Sequence, residues 1–136
     1  MFSIQLSTFE DVRKAREWVG QMAQAAGIRD PGAAIMATGE LANNCVEHGG
    51  DSEFARGCPA KRGPGGGLLR IGCEPGRLSL QFENDCEQRP DWRTRKPAAV
   101  AEFRTGGYGL PIARALARRV NCRWKNGRVL VRAVFE

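Results

Sequence analysis

The chain has 136 residues, 42% hydrophobic and 26% charged, with 21 Lys and Arg against 15 Asp and Glu for a formal net charge of +6. That is the profile of one globular domain with a real core. It is too short for a two-lobed protein kinase, a TIM barrel or a two-domain dehydrogenase, and no stretch nears the ~18 apolar residues of a membrane span.

Phe2, Ile4 and Leu6 alternate with polar residues and read as a short first strand. Ser7 or Thr8 then offers an N-cap, with Glu10 three residues after Ser7 as in a capping box. Phe9, Val12, Ala15, Val19, Met22 and Ala26 recur at helical spacing, and Gly27 is a natural end for that helix. Asp30-Pro31 starts a second helix, which runs to about His48 and is stopped by Gly49-Gly50. Residues 49–67 are rich in glycine and proline and read as a mobile loop within a single domain spanning 1–136. Leu68, Leu69 and Ile71 begin a strand, Glu74-Pro75-Gly76-Arg77 is a turn, and Leu78, Leu80 and Phe82 alternate cleanly in the next strand. Residues 86–108 lose periodicity. A third helix is expected over Leu110 to Arg119, with Arg118 and Arg119 in its last turn, where cations suit the helix dipole. Val120 to Lys125, the turn Asn126-Gly127 and Arg128 to Phe135 form a hairpin. The order β-α-α-β-β-loop-α-β-β predicts an α+β fold, with an antiparallel or mixed sheet and helices on one face. It lacks the alternating units of a Rossmann domain.

Five cysteines, at 45, 58, 73, 86 and 122, include no C-x-x-C pair, and there is a single histidine. A zinc framework is therefore not expected. Met1 to Ser7 lacks the pattern of a secretory signal, so the expectation is a reduced, cytoplasmic protein. Charge is uneven: residues 1–56 carry five basic and eight acidic side chains, residues 57–136 sixteen and seven. An anionic ligand, an acidic protein or nucleic acid each suits that asymmetry. Direct nucleic-acid binding is the weakest of the three, because the basic residues lack the interleaved aromatics of a stacking platform.

Two constellations carry chemistry. On a helical wheel of ~100° per residue, Asn44 lies about 40° and His48 about 80° from Glu40, with Glu47 near −20°. Ala34, Ile35, Thr38, Leu41, Ala42, Cys45 and Val46 fill the apolar arc from about 100° to 240° on the same wheel. A carboxamide oxygen is a hard ligand suited to Mg²⁺, which takes its other ligands from water and phosphate. A carboxylate one turn earlier can accept a proton from a nucleophile. The second constellation is Gly106-Gly107-Tyr108-Gly109-Leu110, which opens the third helix. Glycines there let backbone N–H groups approach a phosphate.

With these two motifs in this order, the sequence resembles the histidine-kinase-like (GHKL) ATPase superfamily. Within it, the sequence resembles the small anti-sigma factor serine/threonine kinases of bacterial partner-switching systems. Thr38-Gly39-Glu40-Leu41-Ala42-Asn43-Asn44-Cys45-Val46-Glu47-His48 is similar to the family's asparagine box, and Gly107-Tyr108-Gly109-Leu110 to its second glycine box. The resemblance implies a two-layer Bergerat-type α/β sandwich, ATP or ADP with Mg²⁺ as cofactors, and residues 86–106 as an ATP lid. It implies Glu40 as general base, Asn44 as the Mg²⁺ ligand, and Gly107, Tyr108, Gly109 and Leu110 beside the phosphates. Asn43 and His48 support the helix site. Where the family usually reads Asp-x-Gly-x-Gly, this chain reads Asn84-Asp85-Cys86-Glu87-Gln88. Asn84 takes the inward phase of the strand and stands where Asp binds adenine, Asp85 points outward as the competing candidate, and Cys86 and Gln88 replace glycines.

The resemblance further implies a regulator of transcription that binds a sigma factor and phosphorylates an anti-anti-sigma (STAS-type) protein, with no membrane and no direct nucleic acid as partner. The family often forms homodimers, for which exposed parts of the first helix or strand are available. The alternative is a non-catalytic anti-sigma or adaptor module, favoured by the altered segment after Asn84. Keeping both Glu40 and Asn44 favours the enzyme.

Overall fold

In the computed structural model, which describes residues 1–48, 67–85 and 109–136, the chain runs β1 (Phe2–Leu6), α1 (Phe9–Ala26), α2 (Pro31–His48), β2 (Gly67–Glu74), β3 (Arg77–Asp85), α3 (Gly109–Leu116), β4 (Arg119–Lys125) and β5 (Arg128–Phe135). The strands form one sheet in the order β1-β2-β3-β5-β4, and each neighbouring pair is antiparallel. α1 and α2 pack against each other and on the sheet, and α3 packs on α2 and β4. This is the expected α+β two-layer sandwich, with the sheet wholly antiparallel.

Register explains the core. Ile4, Leu69, Phe82, Val131 and Cys122 lie side by side across all five strands, and Phe2, Ile71, Leu80, Ala133 and Val120 form the next row. Because side chains alternate between faces, both rows point toward the helices. Phe82, Leu69, Ile71 and Leu80 are almost wholly buried there against Val12, Val19 and Leu41 of the helical layer. The opposite face carries the polar partners of these rows, such as Arg70, Gln81, Arg132 and Asn121.

The helix ends show why the elements start and stop where they do. Thr8 caps α1 by accepting from the Asp11 backbone N–H at 3.2 Å. The Asp11 carboxylate accepts in turn from the Ser7 and Thr8 backbone N–H groups at 2.9 and 3.0 Å. The capping box is therefore Thr8 with Asp11, and not Ser7 with Glu10, whose carboxylate pairs instead with exposed Arg13. Gly27, at φ 73°, closes α1 in the left-handed conformation that costs glycine little. Asp30 Oδ1 accepts from the Ala33 N–H at 3.1 Å and so heads α2. Asn126 and Gly127 both take positive φ, 52° and 74°, as the tight β4–β5 turn requires.

Two expected boundaries shift. β2 begins at Gly67, so that residue belongs to the sheet and not to the preceding loop. α3 ends at Leu116, and Arg119 opens β4. The Arg118 N–H donates to the Val134 carbonyl at 2.7 Å, which commits the chain to the sheet before another helical turn can form. Arg114, not Arg118 or Arg119, occupies the last turn of α3. The expected loop over 49–67 and lid over 86–106 otherwise lie outside the described residues. Among the described residues no helix is long and apolar enough to cross a membrane.

Candidate functional site

α2 buries a different face from the one its large apolar side chains suggest. Ala33, Ala34, Ala37, Thr38, Leu41, Ala42, Asn44 and Cys45 are buried, whereas Ile35 and Val46 are only half-buried and Met36 is exposed. On the wheel with Glu40 at zero, the buried arc runs from about 20° to 200°, not from 100° to 240°. Alanines at 33 and 37 let α2 lie close beneath its neighbours, and that rotation carries Asn44 from the margin of the helix into the interior.

Asn44 is 0% exposed and Asn84, on β3, 1%. Neither the carboxamide oxygen nor the nitrogen of either residue has a hydrogen-bond partner. Other buried polar groups among the described residues are satisfied. The Thr38 hydroxyl donates to the Ala34 carbonyl at 2.7 Å, and Glu83 accepts from Arg70 Nε at 2.6 Å with Arg128 a further 3.8 Å away. An unsatisfied buried polar group costs about 1–3 kcal/mol. Two together, in an interior otherwise satisfied, mark a place where a polar ligand completes the bonding.

Cys45 and Gly67 join this site. A side chain built on Gly67 would collide with Asn84 Oδ1 and stand 2.5 Å from the Glu83 carbonyl oxygen and 3.2 Å from Cys45 Cβ. Only glycine lets β2 start this close to the Asn84 carboxamide. Burial pushes the Cys45 thiol up to about 12, against a smaller opposing pull from the Asn84 side chain beside it. Cys45 therefore stays a neutral thiol. Sequence reading missed both residues as parts of the site: it set Cys45 among core positions and Gly67 in a loop. The signal was available in the β2–β3 turn, because pairing Glu74 with Arg77 and counting back sets residue 67 opposite residue 84.

Glu40 lies one helical turn before Asn44 and is half-buried, as is Asn43. A half-buried carboxylate still reaches the surface and can meet a group presented from outside. Asp85 sits on the opposite face of the sheet, exposed and 3.7 Å from Arg128 Nε. Gly109 opens α3, and Leu110 beside it is buried. His48 is the last residue of α2. Its side chain, like Cys86, Gly107 and Tyr108, lies outside the described residues.

Among the described residues no three His, Cys, Asp or Glu side chains cluster as a self-sufficient metal site. The donor that fits a divalent cation is the orphaned Asn44 oxygen, a hard ligand of the kind Mg²⁺ accepts alongside phosphate oxygens. The orphaned Asn84 carboxamide offers both a donor and an acceptor, which suits the edge of a nucleobase.

The two-layer sandwich thus keeps two carboxamides, one on α2 and one on β3, buried and unpaired between its layers. The sequence model of the histidine kinase-like ATPase domain matches residues 6–135. The chain belongs to that family, whose members bind and use ATP, typically with Mg²⁺. No curated protein matches it.

Proposed function

We propose that this chain is an ATP·Mg²⁺-dependent protein serine/threonine kinase that also acts as an anti-sigma factor. In this reading it holds a sigma factor and phosphorylates a serine of an anti-anti-sigma protein, which then no longer competes for it. The observation that carries the reading is the pairing on α2 of a buried, unpartnered Asn44 carboxamide with a half-buried Glu40 one turn away. Asn44 binds the cation, which when present offsets charge on the transferring phosphoryl group. Asn84 holds the base edge, with Gly67 and Cys45 packed behind it. Glu40 orients the incoming hydroxyl and takes its proton as the serine oxygen bonds to the γ-phosphorus and ADP leaves.

The test is Glu40→Gln. Phosphoryl transfer to an anti-anti-sigma substrate should fall by about 10²–10⁴, the usual contribution of a general base, while ADP affinity by titration calorimetry stays the same. Transfer that survives at wild-type rate removes Glu40 from that role. A second reading, a binding module that holds nucleotide without turnover, is favoured by Cys86 and Gln88 standing where the family has glycines. It predicts ADP binding with no transfer even in the wild-type chain.

A further inference from the structure

The face of the sheet turned away from the helices carries a polar recess of about 380 Å³. Small-ligand sites occupy about 300–1,000 Å³, so a small molecule fits it. Register builds the recess. Arg70 of β2, Gln81 of β3 and Arg132 of β5 lie opposite one another across three neighbouring strands. The two arginines therefore leave the backbone about 10 Å apart, two strand spacings, with the Gln81 carboxamide between them. The next row on the same face pairs Gly72 with Ser79. Gly72 keeps the hollow open, because a side chain there would stand 2.6 Å from Ser79 Oγ.

Glu83 fixes one arm of the recess. Its side chain is 7% exposed and accepts from Arg70 Nε at 2.6 Å, while its other oxygen lies 3.8 Å from Arg128. Arg70 thus spends Nε on Glu83 and keeps its two terminal nitrogens to donate elsewhere. Arg132 is exposed and makes no ion pair among the described residues. The lining holds two arginines and one acid, and that acid is already matched by Arg70 and Arg128. The donors come from three strands: Arg70 from β2, the Ser79 hydroxyl and Gln81 amide from β3, and Arg132 from β5. A planar carboxylate is satisfied by one guanidinium fork. A phosphate monoester presents three acceptor oxygens and a charge of about −1.5 to −2 at neutral pH, which suits two guanidinia with hydroxyl and amide donors between them.

We infer that this recess binds the phosphate group of a phosphomonoester, held by Arg70 and Arg132 with Gln81 and Ser79 donating between them. The site lies on the other side of the sheet from Glu40, Asn44 and Asn84, and stands whether or not the chain is a kinase.

The experiment titrates the full chain with inorganic phosphate, glycerol 3-phosphate, a phosphoserine peptide and, as a carboxylate of similar size, glycerate, following backbone amide shifts by NMR. Phosphate and its esters should shift the Ser79, Gln81 and Arg132 amides, and glycerate should bind at least about tenfold more weakly than glycerol 3-phosphate. Arg132→Gln, at an exposed position, should weaken the esters by at least about tenfold with ADP affinity unchanged. Arg70→Gln is avoided because it would strip a buried carboxylate of its partner. Gly72→Ala, which fills the hollow, should weaken the esters as well. Asn44→Leu at the nucleotide site and Arg123→Gln elsewhere on the same face should leave them as tightly bound as before. A phosphoserine peptide that binds tighter than glycerol 3-phosphate places the ester on a protein, the reverse places it on a small molecule, and either supports the site. No shift with any phosphate, glycerate binding as tightly as the esters, ester binding indifferent to both Arg132→Gln and Gly72→Ala, or ester binding lost in Asn44→Leu overturns it.

Discussion

A carboxamide buried without a partner is a standing cost, and Asn44 and Asn84 both carry it. Removing that cost should separate stability from ligand binding. Asn44→Leu keeps the approximate volume and deletes two orphaned polar atoms, so the ligand-free protein should unfold about 1–3 kcal/mol higher in free energy, or near the wild-type value if leucine strains the packing. Mg²⁺-dependent nucleotide binding, by calorimetry, should disappear. A loss of stability well beyond strain would mean that the Asn44 carboxamide is satisfied in solution. Gly67→Ala tests the other side of the site. The added methyl meets Asn84 Oδ1 and the Glu83 backbone, which cannot yield as a flexible side chain can. It should cost about 1–3 kcal/mol, as overpacking does, and weaken ADP binding while leaving the Glu40 side of the site untouched. The spacing of Glu40 and Asn44 was legible because helical periodicity sets it directly, and the inward phase of Asn84 followed from period two. The burial of Asn44 was not legible. A wheel weighted toward large apolar residues gave Ile35 and Val46 to the core, whereas alanines 33 and 37 determined how closely α2 could approach.

At the level of elements, the helices and strands were readable where local chemistry ends them. Gly27, Asp30-Pro31 and Asn126-Gly127 mark real boundaries, because each meets a need of the backbone at that point. The end of α3 was not readable. Arg118 is as good a helix residue as Arg114, and what stops the helix is the Val134 carbonyl, which lies in a strand formed later in the chain. The head of α1 shows how close two local solutions can be: Ser7 with Glu10 and Thr8 with Asp11 both fit the pattern, and the carboxylate that reaches two backbone N–H groups prevails. Those two groups hold the Asp11 carboxyl below its ordinary 3.8. A lowered folded value means that Asp11 adds stability fully above its unfolded pKa and loses it as pH falls through the lowered one. Asp11→Asn should therefore be less stable than wild type at neutral pH. The gap, followed by thermal unfolding, should narrow in acid below about pH 4. Thr8→Ala removes the reciprocal bond and should cost about 1 kcal/mol, with no comparable dependence on acid. A gap for Asp11→Asn that is constant from neutral to strongly acid pH would exclude the capping bonds as its source.

Among the described residues, the candidate site lies between the two layers and the cations of β4 and β5 lie on the far face of the sheet. Cys45 gives a way to watch the two layers separate. Its side chain is fully buried, and its thiol, pushed up to about 12, does not ionise while the fold is intact. Alkylation at neutral or mildly alkaline pH therefore requires opening, and its rate under fast reclosing reports the population of the open state. A ligand that binds only the closed fold lowers that population by the factor 1 + [L]/Kd. At a hundredfold excess of ADP·Mg²⁺ over Kd, labelling of Cys45 should slow by about a hundredfold, equal to roughly 2.7 kcal/mol. The peptide carrying Cys45, followed by mass spectrometry, measures this directly. Exposed Cys73, on the sheet, supplies the control and should label at the same rate with and without nucleotide. In Asn44→Leu, nucleotide should leave the Cys45 rate unchanged although the fold is intact. If nucleotide binds the wild-type chain yet Cys45 labels as fast as before, α2 opens locally without releasing the ligand. The carboxamides beside Cys45 then cannot be what holds the nucleotide.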